Sequence, residues 1–152
     1  FGEQSHGRKF ALGEEPTRAP WIWVAPGVTQ PRTVCDRPID FMTIYPTLCE
    51  LTGIEVPTHV EGPSAVCLLR DPMAPWGHAA VTTHGYKNHT VRNETHRYIQ
   101  YADGSEELYD HTNDPHEWAN IASKPESLEV IKQLSQHLPA SNASPRKKKG
   151  TR

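Results

Sequence analysis

What the chain has little of narrows its class first. Its three cysteines, Cys35, Cys49 and Cys67, cannot all pair within one chain. None is spaced as Cys-x-x-Cys or set beside a histidine in a metal-ligand pattern, so they read as plain structural thiols, and neither a disulfide scaffold nor a zinc module is expected. No run approaches the ~20 apolar residues of a membrane span, and the first residues lack the basic and apolar regions of a signal peptide. A membrane is not an expected partner. A formal net charge of -2 gives no global basic field, and the basic residues gather on no one element, so nucleic acid is not expected either. The exception, Arg146-Lys147-Lys148-Lys149, follows a Pro/Ser/Asn-rich stretch without an apolar anchor and reads as a solvated, disordered tail.

The chain is also poor in core-forming residues for its size. A length of 152 residues suits one domain, yet the apolar share is only 36% with 14 prolines, and the mean hydropathy is -0.67. Length allows an autonomous fold, whereas composition points to a piece of a larger unit. The start at Phe1 rather than a methionine adds to that expectation.

What is there falls into two parts. Trp21-Ile22-Trp23-Val24-Ala25 is a short apolar run closed by Pro26-Gly27, the pattern of a strand buried on both faces of a central parallel sheet. Sites of α/β enzymes form at the carboxyl ends of such strands. The spacing of Ile39, Met42, Leu48 and Leu51 predicts a helix over 36–53, with Asp36 or Asp40 as cap and Gly53 as terminator. Pro46 should kink it, or restart it with Pro46 in the first turn of the second part. A short helical turn is expected near 64–69. Strands are predicted at 79–83, 90–92, 97–101 and 107–109, with Asp103-Gly104 as the hairpin signal. Leu128, Ile131, Leu134 and Leu138 predict an amphipathic helix over 127–138 lying across that antiparallel meander. The expected order is an α/β portion at 1–78, an α+β subdomain at 79–140 and a basic tail at 141–152.

Two stretches carry a family resemblance. The first runs Glu107-Leu108-Tyr109-Asp110-His111-Thr112-Asn113-Asp114-Pro115-His116-Glu117-Trp118-Ala119-Asn120-Ile121-Ala122 and resembles the "ELYDLxxDPxExxNLA" segment near the end of sulfatases. The second runs from Thr17-Arg18-Ala19-Pro20 through Trp21 to Gly27, then Asp40, Pro46-Thr47-Leu48 and Gly53-Ile54. It resembles the "TRVPLIIxxPG... DLxPTLxxLAGI" pattern of the same family. With Glu61-Gly62-Pro63-Ser64, similar to "xGxSL", the likeness reaches to about residue 140. It implies the C-terminal part of an α/β, alkaline-phosphatase-like sulfatase fold.

The same resemblance implies roles. Phe1-Gly2-Glu3 is similar to the "LGE" after the family's metal-binding "DHG" or "DNG" turn, and Lys9 matches the lysine that contacts sulfate. His84-Gly85, Asn88 and His89 resemble the "THGxxNHAVR" of iduronate-2-sulfatase-like bacterial members, which implies substrate contact by His84, Asn88 and His89. Gln4-Ser5, Gly7 and Gly13 depart from the residues common there. The Cys-x-Pro-x-Arg segment, whose cysteine becomes formylglycine, is absent, and so are the aspartates that hold the divalent cation. Calcium is the expected cofactor of the full-length protein, with no ligand in this chain. The expected partners are a sulfated carbohydrate and the missing N-terminal half of the same enzyme.

The chemistry agrees with these residue types. A sulfate monoester gathers charge on its oxygens as the ester bond breaks, so a compact cation such as Lys9 stabilises it. Lys9 could equally solvate a polar loop. His6 could protonate the leaving alcohol, since histidine exchanges protons near neutral pH, or could be a surface histidine. His84 and His89 flank a strand-to-loop junction, where a structural hydrogen bond competes with substrate contact. Asp103, Glu106, Glu107, Asp110 and Asp114 are explained by turn and hairpin chemistry rather than by a paired-carboxylate mechanism. Three functions follow: a sulfatase acting on sulfated sugars; the same fold acting on choline sulfate, an aryl sulfate or a phosphate or phosphonate ester; and a non-catalytic, truncated binding protein.

Overall fold

The structure, a computed structural model, describes residues 12–143. Lys9 and His6 lie outside the described residues, as does the basic run 146–149. Two compact units divide the chain: residues 19–80 form one, and 12–18 together with 81–143 form the other. In chain order the helices are α1, Glu14–Thr17, α2, Ile44–Thr52, α3, Val66–Arg70, and α4, Leu128–Ser135. Among the described residues no helix is long and apolar enough to cross a membrane.

In the unit 19–80, the helix expected at 36–53 is confined to its second half. Asp40 accepts a hydrogen bond from the Met42 amide at 3.0 Å and starts a 3-10 turn, Phe41–Thr43, that leads into α2. Pro46 sits in the first turn of α2, where a missing amide proton costs nothing. Gly53 ends the helix at φ +70, a left-handed conformation that glycine adopts without a Cβ penalty. Thr47 is fully buried and bridges two elements: its hydroxyl donates to the Thr43 carbonyl at 2.6 Å and accepts from the Ala65 amide at 2.9 Å. That bond seats α3, whose Val66 and Leu68 are buried.

The strand expected at Trp21–Ala25 does not form. The segment belongs to no sheet, and Ile22 and Val24 are each 86% exposed. Trp21 and Trp23 pack edge to face, 5.3 Å apart. Apolar content sets a demand for burial, but a strand also needs a neighbour to accept its hydrogen bonds, and the sheet of the described residues lies in the other unit. The expected turn does follow, with Gly27 at φ +78.

The sheet of the second unit is a meander of order β1-β2-β3-β4, comprising Ala80–Thr83, His89–Arg92, His96–Gln100 and Glu106–Asp110. Pairing is antiparallel, with Val91 opposite Tyr98 and Tyr98 opposite Leu108. Alternation along β3 then sends Tyr98 to one face and Arg97 and Ile99 to the other. Leu12 and the small helix α1 belong to the second face, where Leu12, Ile99 and Tyr109 form a buried cluster flanked by Tyr101. Helix α4 packs on β2 and β3. Its inward side is the expected one at Ile131, Leu134 and Leu138, which are buried or half-buried, but not at Leu128. Leu128 is 67% exposed, and buried Ser127 takes its place by donating to the Ile121 carbonyl at 2.7 Å, while Leu134 fills the core.

Candidate functional site

The sheet unit offers two sites with polar chemistry. The first is the turn between β1 and β2. Gly85 and Lys87 take left-handed conformations there, φ +71 and +60. His84 is exposed on it, and Asn88 closes it: its amide donates to the His84 carbonyl at 2.9 Å and its Oδ1 accepts the Ala102 amide at 2.9 Å. This ties the turn to the β3–β4 hairpin. His89, one residue on, is buried at 4% exposure. Its Nε2 lies 2.8 Å from Oδ1 of Asn142 and its Nδ1 2.8 Å from the Thr83 hydroxyl. Because the amide oxygen only accepts, Nε2 donates to Asn142, and the Thr83 hydroxyl, able to donate or accept, is the partner of Nδ1. Asn142, at the start of the expected tail, is thus held to the sheet. His84 and Asn88 therefore share one surface turn, with His89 engaged beneath it at both nitrogens.

The second site draws His111 and Glu117 from the 107–122 segment and lies on the opposite side of β2 and β3 from Tyr98. Arg97 and Glu117 are each 3% exposed. The Arg97 Nε meets Glu117 Oε1 at 2.6 Å, its Nη2 meets Glu14 Oε2 at 2.5 Å, and its Nη1 donates to the Leu12 carbonyl at 3.2 Å and the Thr90 hydroxyl at 3.1 Å. His111 Nε2 adds a contact to Glu117 Oε1 at 2.8 Å, and the Glu14 amide donates to Glu117 Oε2 at 2.7 Å. Arg92 approaches Glu14 at 3.7 Å. Burial would raise the Glu14 pKa, but the hydrogen bond and charge of Arg97, aided by Arg92 and His111, outweigh it and hold the carboxyl below its ordinary value. Among the described residues, no buried side-chain nitrogen or oxygen lacks a partner.

Ligand atoms of Glu14, His111 and Glu117 fall within 4.8 Å of one another, close enough to raise the question of a cation. The group does not fit calcium, which takes six to eight oxygens. It supplies a ring nitrogen, and the guanidinium of Arg97 already lies between its two carboxylates. Its cation is the arginine.

Hydrogen bonds account for the order of residues in the segment 107–122. Asp110 accepts from the Thr112 amide and the Asn113 side chain, and Asp114 from the Ala119 amide at 2.8 Å. These bonds hold both carboxyls below their ordinary pKa, led for Asp110 by Asn113 and for Asp114 by the Ala119 amide. Asn120 lines the outer edge of β4, accepting from the Leu108 amide at 3.0 Å and donating to the Glu106 carbonyl at 3.2 Å. Its side chain stands in for a fifth strand. Glu117 is held at φ +58, where a non-glycine residue is strained. The acidic residues of the hairpin and turns are structural. The sequence signal for Arg97 is its place beside Ile99 on an inward face, where a charge requires a buried partner.

Comparison with known proteins agrees with this architecture. The family model of the N-sulphoglucosamine sulphohydrolase C-terminal region matches residues 2–144. A sulfatase of Formosa agariphila is 37% identical over 144 residues, covering 95% of this chain and 28% of the relative. A Delta 4,5-hexuronate-2-O-sulfatase of Bacteroides thetaiotaomicron is 30% identical over 135 residues, covering 82% and 28%. A solved Bacteroides fragilis structure assigned as a sulfatase superposes with a TM-score of 0.60 at 25% identity, over 74% of this chain and 26% of that one. The chain thus spans little more than a quarter of these proteins. With a family model that covers nearly its whole length and a fold shared with a solved relative, the chain belongs to the sulfatases, as a member of the N-sulphoglucosamine sulphohydrolase C-terminal family.

Proposed function

We propose that this chain is the C-terminal part of a sulfuric ester hydrolase of the iduronate-2-sulfatase-like branch, acting on a sulfated uronate-containing sugar. The observation that carries the reading is the 95% coverage at 37% identity to a sulfatase, and the uronate follows from the likeness to a hexuronate-2-O-sulfatase. Lys9 contacts the sulfate oxygens and neutralises charge that develops there. His6 passes a proton to the leaving alcohol. His84 and Asn88 face the sugar from a turn that two Asn88 hydrogen bonds hold rigid, and His89, buried with both ring nitrogens engaged, supports that turn from below rather than touching substrate itself.

The formylglycine nucleophile and the calcium ligands belong to an N-terminal half outside this chain; when bound, the metal supplies Lewis-acid polarisation of the sulfate. The same half is the chain's partner. Two features support it: Ile22 and Val24 present unsatisfied apolar surface, and Phe41, Tyr45 and Leu48, at helical spacing, are 62%, 52% and 46% exposed. The 152-residue chain alone is expected to be inactive.

The test is Lys9→Ala in a full-length enzyme carrying this chain, assayed on a Delta 4,5-unsaturated 2-O-sulfated disaccharide and on aryl sulfate and phosphonate esters. Turnover of the sulfated sugar should fall by about 10²- to 10³-fold, the cost of one preorganised donor, with an unchanged melting temperature. Wild-type turnover in that variant would remove Lys9 from the site, and preference for the phosphonate ester would reassign the reaction.

A further inference from the structure

We propose that Lys87, steadied by Tyr86, is a specificity-determining residue whose ammonium pairs with a second anion of the sulfated sugar, the uronate carboxylate or a further sulfate, and not with the sulfate that is cleaved. This rests on the reading that the turn between β1 and β2 faces the sugar.

That turn is tied down at both ends. The His84 amide donates to the Asn88 carbonyl at 3.0 Å, and the Asn88 side-chain amide donates to the His84 carbonyl at 2.9 Å. Asn88 Oδ1 accepts the Ala102 amide at 2.9 Å, which fixes the turn against the β3–β4 hairpin. Beneath it, Thr83 and Asn142 engage both nitrogens of the buried His89. Only Gly85, Tyr86 and Lys87 lie between the closing pair, and the Tyr86 and Lys87 side chains are exposed. A tip so closely anchored presents its side chains in fixed places, which is the property a binding surface needs.

Lys87 stands at φ +60. A left-handed residue in a surface turn is ordinarily glycine or asparagine, and Gly85, at φ +71, follows that rule. Glu117 departs from it at φ +58, but its carboxylate is buried against Arg97. Lys87 is exposed, so packing does not account for a long charged side chain there, and strain retained at such a position points to function. Its ammonium lies 5.4 Å from the centre of the Tyr86 ring, within cation–π reach. Among the described residues it pairs with no carboxylate. The ring thus restrains the lysine without neutralising it, and less side-chain freedom is lost when an anion arrives. A compact ammonium with three donors suits a carboxylate or a sulfate oxygen equally.

The experiment is steady-state kinetics on a full-length enzyme carrying this chain. The substrates are a Delta 4,5-unsaturated 2-O-sulfated disaccharide with a further sulfate on its second sugar, the same compound without that sulfate, the methyl ester of each, and 4-nitrophenyl sulfate. Lys87→Asn removes the charge and suits the left-handed backbone, so the variant should melt at or slightly above the wild-type temperature. It should raise KM for the doubly sulfated free acid by about 5- to 20-fold, the scale of one charge-assisted hydrogen bond, with kcat held within about twofold. The factor should shrink at high salt. Lys87→Arg, which keeps the charge, should stay within about threefold of wild type. Loss of the KM effect on the methyl esters identifies the carboxylate as the partner, and loss on the compound without the further sulfate identifies that sulfate. An equal effect on every substrate, 4-nitrophenyl sulfate included, would overturn the proposal, as would an unchanged KM in Lys87→Asn alongside a raised KM in His84→Ala. If His84→Ala is also without effect on the sugars, the turn does not face them, and the proposal falls with that reading.

Discussion

Replacing Glu117 by glycine sets two effects against each other. Glycine relieves the left-handed conformation, φ +58, which costs a side-chain-bearing residue about 1 kcal/mol or somewhat more. The same change removes the carboxylate that receives the Arg97 Nε at 2.6 Å, His111 at 2.8 Å and the Glu14 amide at 2.7 Å. Arg97 is 3% exposed, so water cannot replace the lost partner, and breaking a buried pair from one side costs about 3–5 kcal/mol. Arg97 keeps Glu14, which places the loss at the lower end of that range. The net expectation is a destabilisation of about 1–2 kcal/mol, or a fall in melting temperature of about 2–8 °C for a chain of this size. Thermal and urea melts of the 152-residue chain, followed by far-ultraviolet circular dichroism, measure it. A glycine variant that melts at or above the wild-type temperature would show that backbone strain outweighs the ionic contacts, and the description of Glu117 as the partner that buried Arg97 requires would fail.

Three further outcomes follow from other parts of the structure. Asn120→Ala leaves the Leu108 amide and the Glu106 carbonyl without their partner at the edge of β4; a loss of about 1–3 kcal/mol is expected in a urea melt, and a neutral result would mean that water serves that edge equally well. Gly62→Ala would drive a Cβ into the Met42 carbonyl, a backbone atom that cannot rotate away; a loss of about 1–3 kcal/mol should appear as faster hydrogen exchange in 41–52. In acid, Glu14 is held below its ordinary value of 4.5, so its contribution is complete above that ordinary value and is lost as pH falls from there toward the folded value. Wild type should therefore lose stability over that window more steeply than Glu14→Gln, and parallel curves would refute the linkage.

Local chemistry makes much of this protein legible in its sequence. The meander follows from alternation around Asp103-Gly104, and the restart of a helix at Pro46, its cap at Asp40 and its stop at Gly53 follow from rules that act within one or two turns. The turn roles of Asp110 and Asp114 are of the same kind. The family is readable from 107–122 because that stretch combines a strand end, two Asx turns and an edge-capping asparagine in a fixed order, leaving few residues free to vary.

What only the tertiary structure decided involves partners far apart in the chain. Trp21–Ala25 carries the apolar pattern of a strand, but whether it becomes one depends on a neighbouring backbone that a pattern cannot name. Leu128 falls on the apolar stripe by spacing yet is exposed, because Ser127 and Leu134 set the rotation of α4 through contacts with Ile121 and the sheet. His89 matches a motif position beside Asn88, and its burial under Thr83 and Asn142 follows only from where the C-terminal segment returns. The ionic group is the plainest case. Glu14 and Arg97 are ordinary charged residues in a sequence that is 22% charged, Glu117 is one position of the 107–122 segment, and what makes them a unit is a fold that brings Arg97 within a hydrogen bond of both carboxylates at a place where Arg97 and Glu117 are too dry to stand alone.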